Sequence, residues 1–181
     1  QNYFPYTANV LVIKPGNQNL ELVKANANGK IFSESTFNLA DTTSGNKTSL
    51  TIKSIYNGNY AEYLRGAISS SGINSLSKNY LEYYNKQYPG AKSTNDIEID
   101  DDRAKNIISM TEHYEIEDIW EKSDSITNTL SAFFYSDLVN NELRPLQKSR
   151  MIPFQLKYPS NIHQIIRVIT PEKWTIDNED T

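Results

Sequence analysis

Apolar and polar residues alternate along most of this chain, and in one stretch the alternation gives way to a longer period. Leu50, Ile52, Ser54 and Tyr56 interleave with Thr51, Lys53, Ile55 and Asn57. A period of two sends successive side chains to opposite faces, so this run predicts a half-buried strand, stopped by Asn57-Gly58. Then Tyr60, Leu64, Ala67 and Ile68 fall at helical spacing. Ser69-Ser70-Ser71-Gly72 interrupts them, and Ile73, Leu76, Tyr80, Tyr83, Tyr84 and Gln87 resume in steps of three and four. Two amphipathic helices are expected within residues 59–88. They end at Tyr88-Pro89-Gly90, because proline disfavours helix in the residue before it and glycine tolerates the turn. Alternation then returns: Ile108, Met110, Glu112, Tyr114 and Ile116 share one strand face.

The flanks read as further strands. Asn9 to Lys14 and Leu20 to Lys24 predict a hairpin across Pro15-Gly16, and 26–29 a turn. In Lys30 to Leu39, the residues Ile31, Phe37 and Leu39 lie on one face with Ser33 and Ser35 between them, and Phe32 lies on the other. Asp41 to Lys47 is a polar loop. Ile97 and Ile99 alternate with acids up to a hairpin turn expected at Asp101-Asp102. Leu130 to Val139 reads as a strand apolar on both sides, because Phe133 and Phe134 are adjacent. Residues 140–150 read as a linker, and 151–159 as extended chain that Pro153 and Pro159 keep to an edge. Ile162 to Thr170 alternates again, Trp174 and Ile176 suggest a last short strand, and the tail 177–181 reads as frayed.

Together these elements predict an α+β fold: a mainly antiparallel β-sheet or sandwich with two helices packed on one side. Residues 1–25 read as an exit segment from a preceding domain. Residues 26–181 read as a β-rich domain with a helical insertion at 59–88. The opening residues look like mid-protein material rather than a start, so a fragment or a processed chain is expected.

Composition narrows the classes. The chain has 181 residues, enough for one domain with a substantial core. Aromatic residues make up 11%, twelve of them tyrosines, which argues against disorder. The net charge is −4 and no two basic residues are adjacent, which argues against nucleic-acid binding. There is no cysteine, so disulfides, thiolate metal sites and a cysteine nucleophile are excluded from this chain. No apolar run approaches the ~18 residues of a membrane span.

Few residues suggest chemistry. His113 and His163 are the only histidines, neither lies near a nucleophile-elbow pattern, and both read as ordinary strand residues. The acids Asp96, Glu98, Asp100, Asp101 and Asp102 lack the glycine and distal glutamate of a calcium loop and read as solvent-facing, so no metal or cofactor is expected. Glu112 is the most informative polar residue. Its face is otherwise apolar or aromatic, so its carboxyl must be paired or protonated. Arg65 on the first helix is the expected partner, making a structural pair; a ligand-binding carboxylate is the other reading. Tyr83, Tyr84, Tyr88, Trp120 and Trp174 are either core or an aromatic platform for sugar or peptide.

The stretches YNGNYAEYLRG, NYLEYYNKQYPG and IDDDRAKNIISMTEHYEIEDIWEK, in this order, resemble the region that follows the papain-like core in bacterial transglutaminase-like proteins. TANVLVIKPGNQNLELVK resembles the exit from that core, and LKYPSNIHQIIRVITPEKW a late strand region. The resemblance runs from about Ala8 to Trp174. It implies a β-rich accessory domain of unknown function in a periplasmic or cell-envelope setting. The catalytic Cys, His and Asp of such proteins lie upstream of the matched region, so no catalytic residue carries over. The resemblance leaves Arg65, Asp102, Arg103, Asn106, Glu112, His113, Tyr114 and Trp120 without an assigned role. The expected function is a non-catalytic accessory domain that positions the transglutaminase-like core or its protein substrate. The alternative is a carbohydrate- or peptide-binding module using exposed aromatics.

Overall fold

The computed structural model describes residues 9–22, 29–41, 45–122, 129–143 and 161–175. In chain order its elements are β1 (Asn9–Leu11), β2 (Leu20–Leu22), β3 (Ile31–Asn38), β4 (Thr48–Asn57), α1 (Asn59–Ser71), α2 (Ile73–Gln87), β5 (Lys92–Ser93), β6 (Glu98–Asp102), β7 (Ile107–Ile116), β8 (Glu121–Lys122), β9 (Leu130–Ser131), α3 (Asp137–Asn140) and β10 (Ile162–Ile169). The fold is α+β, as the periodicity predicts. Six strands form one mixed sheet in the order β10-β3-β4-β7, with β5 and β6 pairing in turn with the far side of β7. Every pairing in it is antiparallel except that of β10 with β3. β1–β2 and β8–β9 are separate two-stranded ribbons.

The strictest alternation in the sequence sits at the centre of the sheet. Along β7 burial alternates residue by residue, with Ile108, Met110, Glu112, Tyr114 and Ile116 all buried. β4 presents Thr48, Leu50, Ile52 and Ser54 to the same side, and β3 presents Ile31, Ser33 and Phe37. Full burial of a side chain such as Leu50 or Ile116 stabilises the fold by roughly 1.5–3 kcal/mol. The outer face is polar and half exposed, as expected for an antiparallel sheet with one solvated side. There Arg167 donates to Glu34 at 3.2 Å and Phe32 meets His163 edge-on at 5.3 Å.

α1 and α2 cover the inner face. α1 buries Ala61 and Leu64 against Ile108. Gly72 (φ 78°) then turns the chain in a conformation that L side chains rarely adopt. α2 has no fully buried residue. It meets the sheet through long tyrosines rather than short aliphatic side chains.

Three expectations are corrected. Residues 130–139 do not form a strand: only Leu130–Ser131 is extended, and Asp137–Asn140 is a short helix. Phe134 turns to the core and packs on Phe37 at 4.9 Å, while Phe133 is exposed, so the two adjacent rings do not straddle a sheet. The hairpin does not turn at Asp101-Asp102. Both residues stay in β6, and the turn uses residues 103–106, with Asn106 at φ 53°, a value asparagine tolerates well. Trp174 is exposed and outside any strand. The turn at 26–28, the linker at 144–150, the extended segment at 151–159, Ile176 and the tail at 177–181 lie outside the described residues.

Candidate functional site

The register turns isolated polar residues into a patch. Ser33 on β3 faces Ser54 on β4, and Gln164 on β10 lies beside Ser33. One row along, Ser35 faces Ile52, which faces Glu112 on β7. The inner face therefore carries a polar island. On one side is the cluster built around Phe37, Leu50, Tyr88, Tyr114 and Ile116. On the other is the smaller cluster of Ala61, Leu64 and Ile108 under α1.

Above the island the face is not filled. A cleft of about 400 Å³ lies between the sheet, α2 and α3. Its floor includes Ser33, Ser35, Ser54 and Glu112, its α2 wall Tyr80, Tyr83, Tyr84 and Gln87, and its rim Tyr135, Asp137 and Gln164. The spacing of α2 explains the opening. Tyrosines three and four apart reach down to the sheet without bringing the helix axis close, and their hydroxyls need polar partners. Tyr83 donates to Asp137 at 2.7 Å, the Gln87 amide also donates to Asp137, and Tyr56 hydrogen-bonds Ser54 and Tyr80. The Ser33 and Ser54 hydroxyls bond each other at 3.2 Å.

Glu112 lies on the floor, 3% exposed. The Tyr114 hydroxyl donates to its Oε2 at 2.6 Å. Among the described residues no cationic side chain pairs with it. Burial therefore pushes its carboxyl up to about 7 from an ordinary 4.5, and the Tyr114 hydrogen bond only partly opposes this. Burial likewise raises Tyr56, Tyr80, Tyr84 and Tyr114, so these phenols are neutral hydrogen-bonding groups at ordinary pH.

Arg65 is not the partner of Glu112. It donates through Nε and Nη2 to Asp101 Oδ1 at 2.9 and 2.6 Å, and through Nη1 to Glu62 at 3.0 Å and to Asn106 at 2.5 Å. This ties α1 to β6 and its following turn. The two bonds hold the Asp101 carboxyl below its usual range. The expected lock between helix and sheet exists, with a different carboxylate. Residue 112 sits one strand and several residues away from the point where Arg65 reaches the sheet.

The other sequence candidates scatter. Tyr84 is in the cleft wall, in contact with Tyr83 and Tyr114. His113 points to the outer face, 3.3 Å from the Thr51 hydroxyl. Trp120 packs at the edge of the larger cluster, donates to the Ala40 carbonyl at 3.2 Å and meets Trp174 at 5.9 Å; neither tryptophan lines the cleft. Tyr83, Tyr84, Tyr88, Trp120 and Trp174, read from the sequence as either core or one platform, thus fall into two separate groups. Sequence reasoning passed over Tyr56, Tyr80, Ser54, Asp137 and Gln164 as site residues. The available signal was the row of polar residues at inward-facing positions of Ser33, Ser35, Ser54 and Glu112.

Among the described residues no helix is long and apolar enough to cross a membrane, and no cluster of three or more potential ligands could hold a metal ion. No family model, curated protein or solved structure matches the chain.

Proposed function

We propose that this chain is a non-catalytic accessory domain that grips a ligand in the cleft between α2, α3 and the sheet. The observation that carries this reading is the cleft: a polar floor with a buried carboxyl, walled by tyrosines. A concave site with an aromatic wall and a few convergent polar groups is the usual form of a binding pocket. The Ser33 and Ser54 hydroxyls bond each other, and Ser54 also bonds the Tyr56 phenol, rather than a base, which favours binding over nucleophilic attack. In the context the sequence resemblance implies, the ligand is a segment of the protein substrate of a transglutaminase-like core in the cell envelope. The domain would position that segment or the core itself.

A panel of peptides and glycans titrated against the chain tests this, with amide chemical-shift changes mapping the contact. Saturable binding that is lost in Tyr80→Ala, with the fold intact by circular dichroism, supports the cleft. The exposed Trp174 beside Trp120 favours a second reading, an aromatic surface for sugar or peptide. Binding lost in Trp120→Ala but kept in Tyr80→Ala selects it. The coding sequence upstream of Gln1 tests the context: a papain-like Cys, then His and Asp, is expected there.

A further inference from the structure

We infer that the cleft recognises a primary alkylammonium group, with Glu112 as its counter-ion and Tyr80 and Tyr84 as its aromatic wall. This rests on the reading of the cleft as a binding site and names the ligand chemistry.

Charge complementarity is the first argument. Among the described residues, those lining the cleft include two carboxyl groups, Glu112 on the floor and Asp137 on the rim, and no lysine, arginine or histidine. Against these residues a phosphate or carboxylate ligand would meet two acids and no cation. The second argument is the state of Glu112. A carboxylate on a central strand, 3% exposed and bonded to one phenol, is costly as an anion unless a positive charge arrives. A bound ammonium supplies that charge. The third is the donor–acceptor count. An ammonium has three N–H donors and no acceptor. The cleft offers acceptors near Glu112 in the phenol oxygens of Tyr56 and Tyr80, both of which interact with its carboxyl, and further hydroxyls along the floor at Ser33, Ser35 and Ser54. The fourth is the wall: a cation beside tyrosine rings gains further attraction from their negative faces. The volume of about 400 Å³ accepts the four-carbon stem as well as the head.

The groups facing Glu112 from each packed element are Tyr56 on β4, Tyr80 and Tyr84 on α2, and Tyr114 on its own strand, with Asp137 of α3 at the rim. The phenols stay neutral through the accessible range, so binding follows Glu112. It strengthens as pH rises through about 7, where the carboxyl loses its proton.

An alkylammonium can come from a lysine side chain in a peptide or from a free diamine. The experiment titrates the chain with a capped Gly-Lys-Gly peptide, with 1,5-diaminopentane, and with a capped Gly-norleucine-Gly peptide that keeps the stem without the amine. Amide chemical shifts and calorimetry are read at pH 8 and pH 5.5. Saturable binding of the lysine peptide, the diamine or both is expected, with shifts at Tyr80, Glu112 and Tyr114. Affinity should fall about tenfold or more from pH 8 to pH 5.5, as a carboxyl with a midpoint near 7 becomes protonated. Glu112→Gln should abolish binding without unfolding the chain, and Tyr80→Phe, which keeps the ring, should weaken it only modestly. Preference for the lysine peptide assigns a protein segment as the source; equal or tighter diamine binding assigns a free amine. Equal binding of the norleucine peptide, or unchanged binding in Glu112→Gln, overturns the inference and leaves the cleft reading standing. So does a neutral peptide or glycan that saturates the cleft while neither amine binds. If no probe of any class shifts the cleft residues, both fall.

Discussion

Asp101 and Glu112 are carboxylates on neighbouring strands of one sheet, and they are treated in opposite ways. Asp101 meets the Arg65 guanidinium through two hydrogen bonds near the sheet edge, and its carboxyl is held below its usual range. Glu112 lies deeper, has a phenol instead of a cation, and is pushed up to about 7. The arginine that could neutralise a buried acid is spent on the edge, where it ties α1 to β6. The first site satisfies every charge it contains. Among the described residues the second offers Glu112 a phenol and no cation, so burial favours its protonated form. A fold that needed only stability would have little use for the second arrangement, because an apolar residue there is often neutral or better. The contrast separates an acid paired within the fold from one that burial leaves without a cation among the described residues.

The largest expected effect comes from removing the charge at Glu112. Its folded-state value lies above the unfolded one, so the native state holds the proton more tightly. Stability is unaffected by this group below about pH 4.5, falls as pH rises through about 7, and stays reduced above. At one pKa unit per 1.36 kcal/mol, Glu112→Gln should raise unfolding stability at pH 8 by up to about 3 kcal/mol and leave it nearly unchanged at pH 4. Urea unfolding at the two pH values reads this directly, and a loss of stability at pH 8 would break the comparison. Next is Arg65→Met, which keeps the stem and removes the donors. It should cost about 1–3 kcal/mol and speed amide exchange in α1, as a charged hydrogen-bond network opens. If α1 exchanges no faster, Arg65 is not the lock. Smaller again is Tyr114→Phe, expected to cost about 1 kcal/mol. It should also move the Glu112 midpoint above about 7, because the phenol is the group that lowers it. Carbon-detected titration of the carboxyl measures this, and a downward shift would contradict the assigned hydrogen bond. Smallest is Lys78→Ala, which removes an exposed contact to Glu82 at 3.9 Å. No shift in the unfolding midpoint is expected, since such pairs are screened by solvent.

Much of this was legible along the chain. Alternation located β3, β4, β7 and β10, the switch of period located α1 and α2, and parity put Glu112 on the covered face. These are local properties: whether a side chain points inward depends on its own strand's pleat. The partners were not legible in the same way. The sequence points Arg65 to Glu112 because both belong to the helix–sheet interface, yet strand order brings Asp101 to it first. Residues 130–139 misled because Phe133 and Phe134 suggest a two-sided strand, while a short helix there places Asp137 against Tyr83 and Gln87.

The cleft shows where the two kinds of information divide. The sequence alone establishes that Ser33, Ser35, Ser54 and Glu112 face inward among apolar neighbours, and that α2 carries a tyrosine stripe. It does not establish that the three strands align these residues side by side, or that the stripe stands over them. That alignment depends on register and strand order, which are set by pairings between residues distant in sequence, such as Ile52 with Glu112 and Ser33 with Gln164, and no local period encodes them. A polar residue on a buried face is visible in one dimension, but its gathering with others into a site is decided only when the sheet assembles.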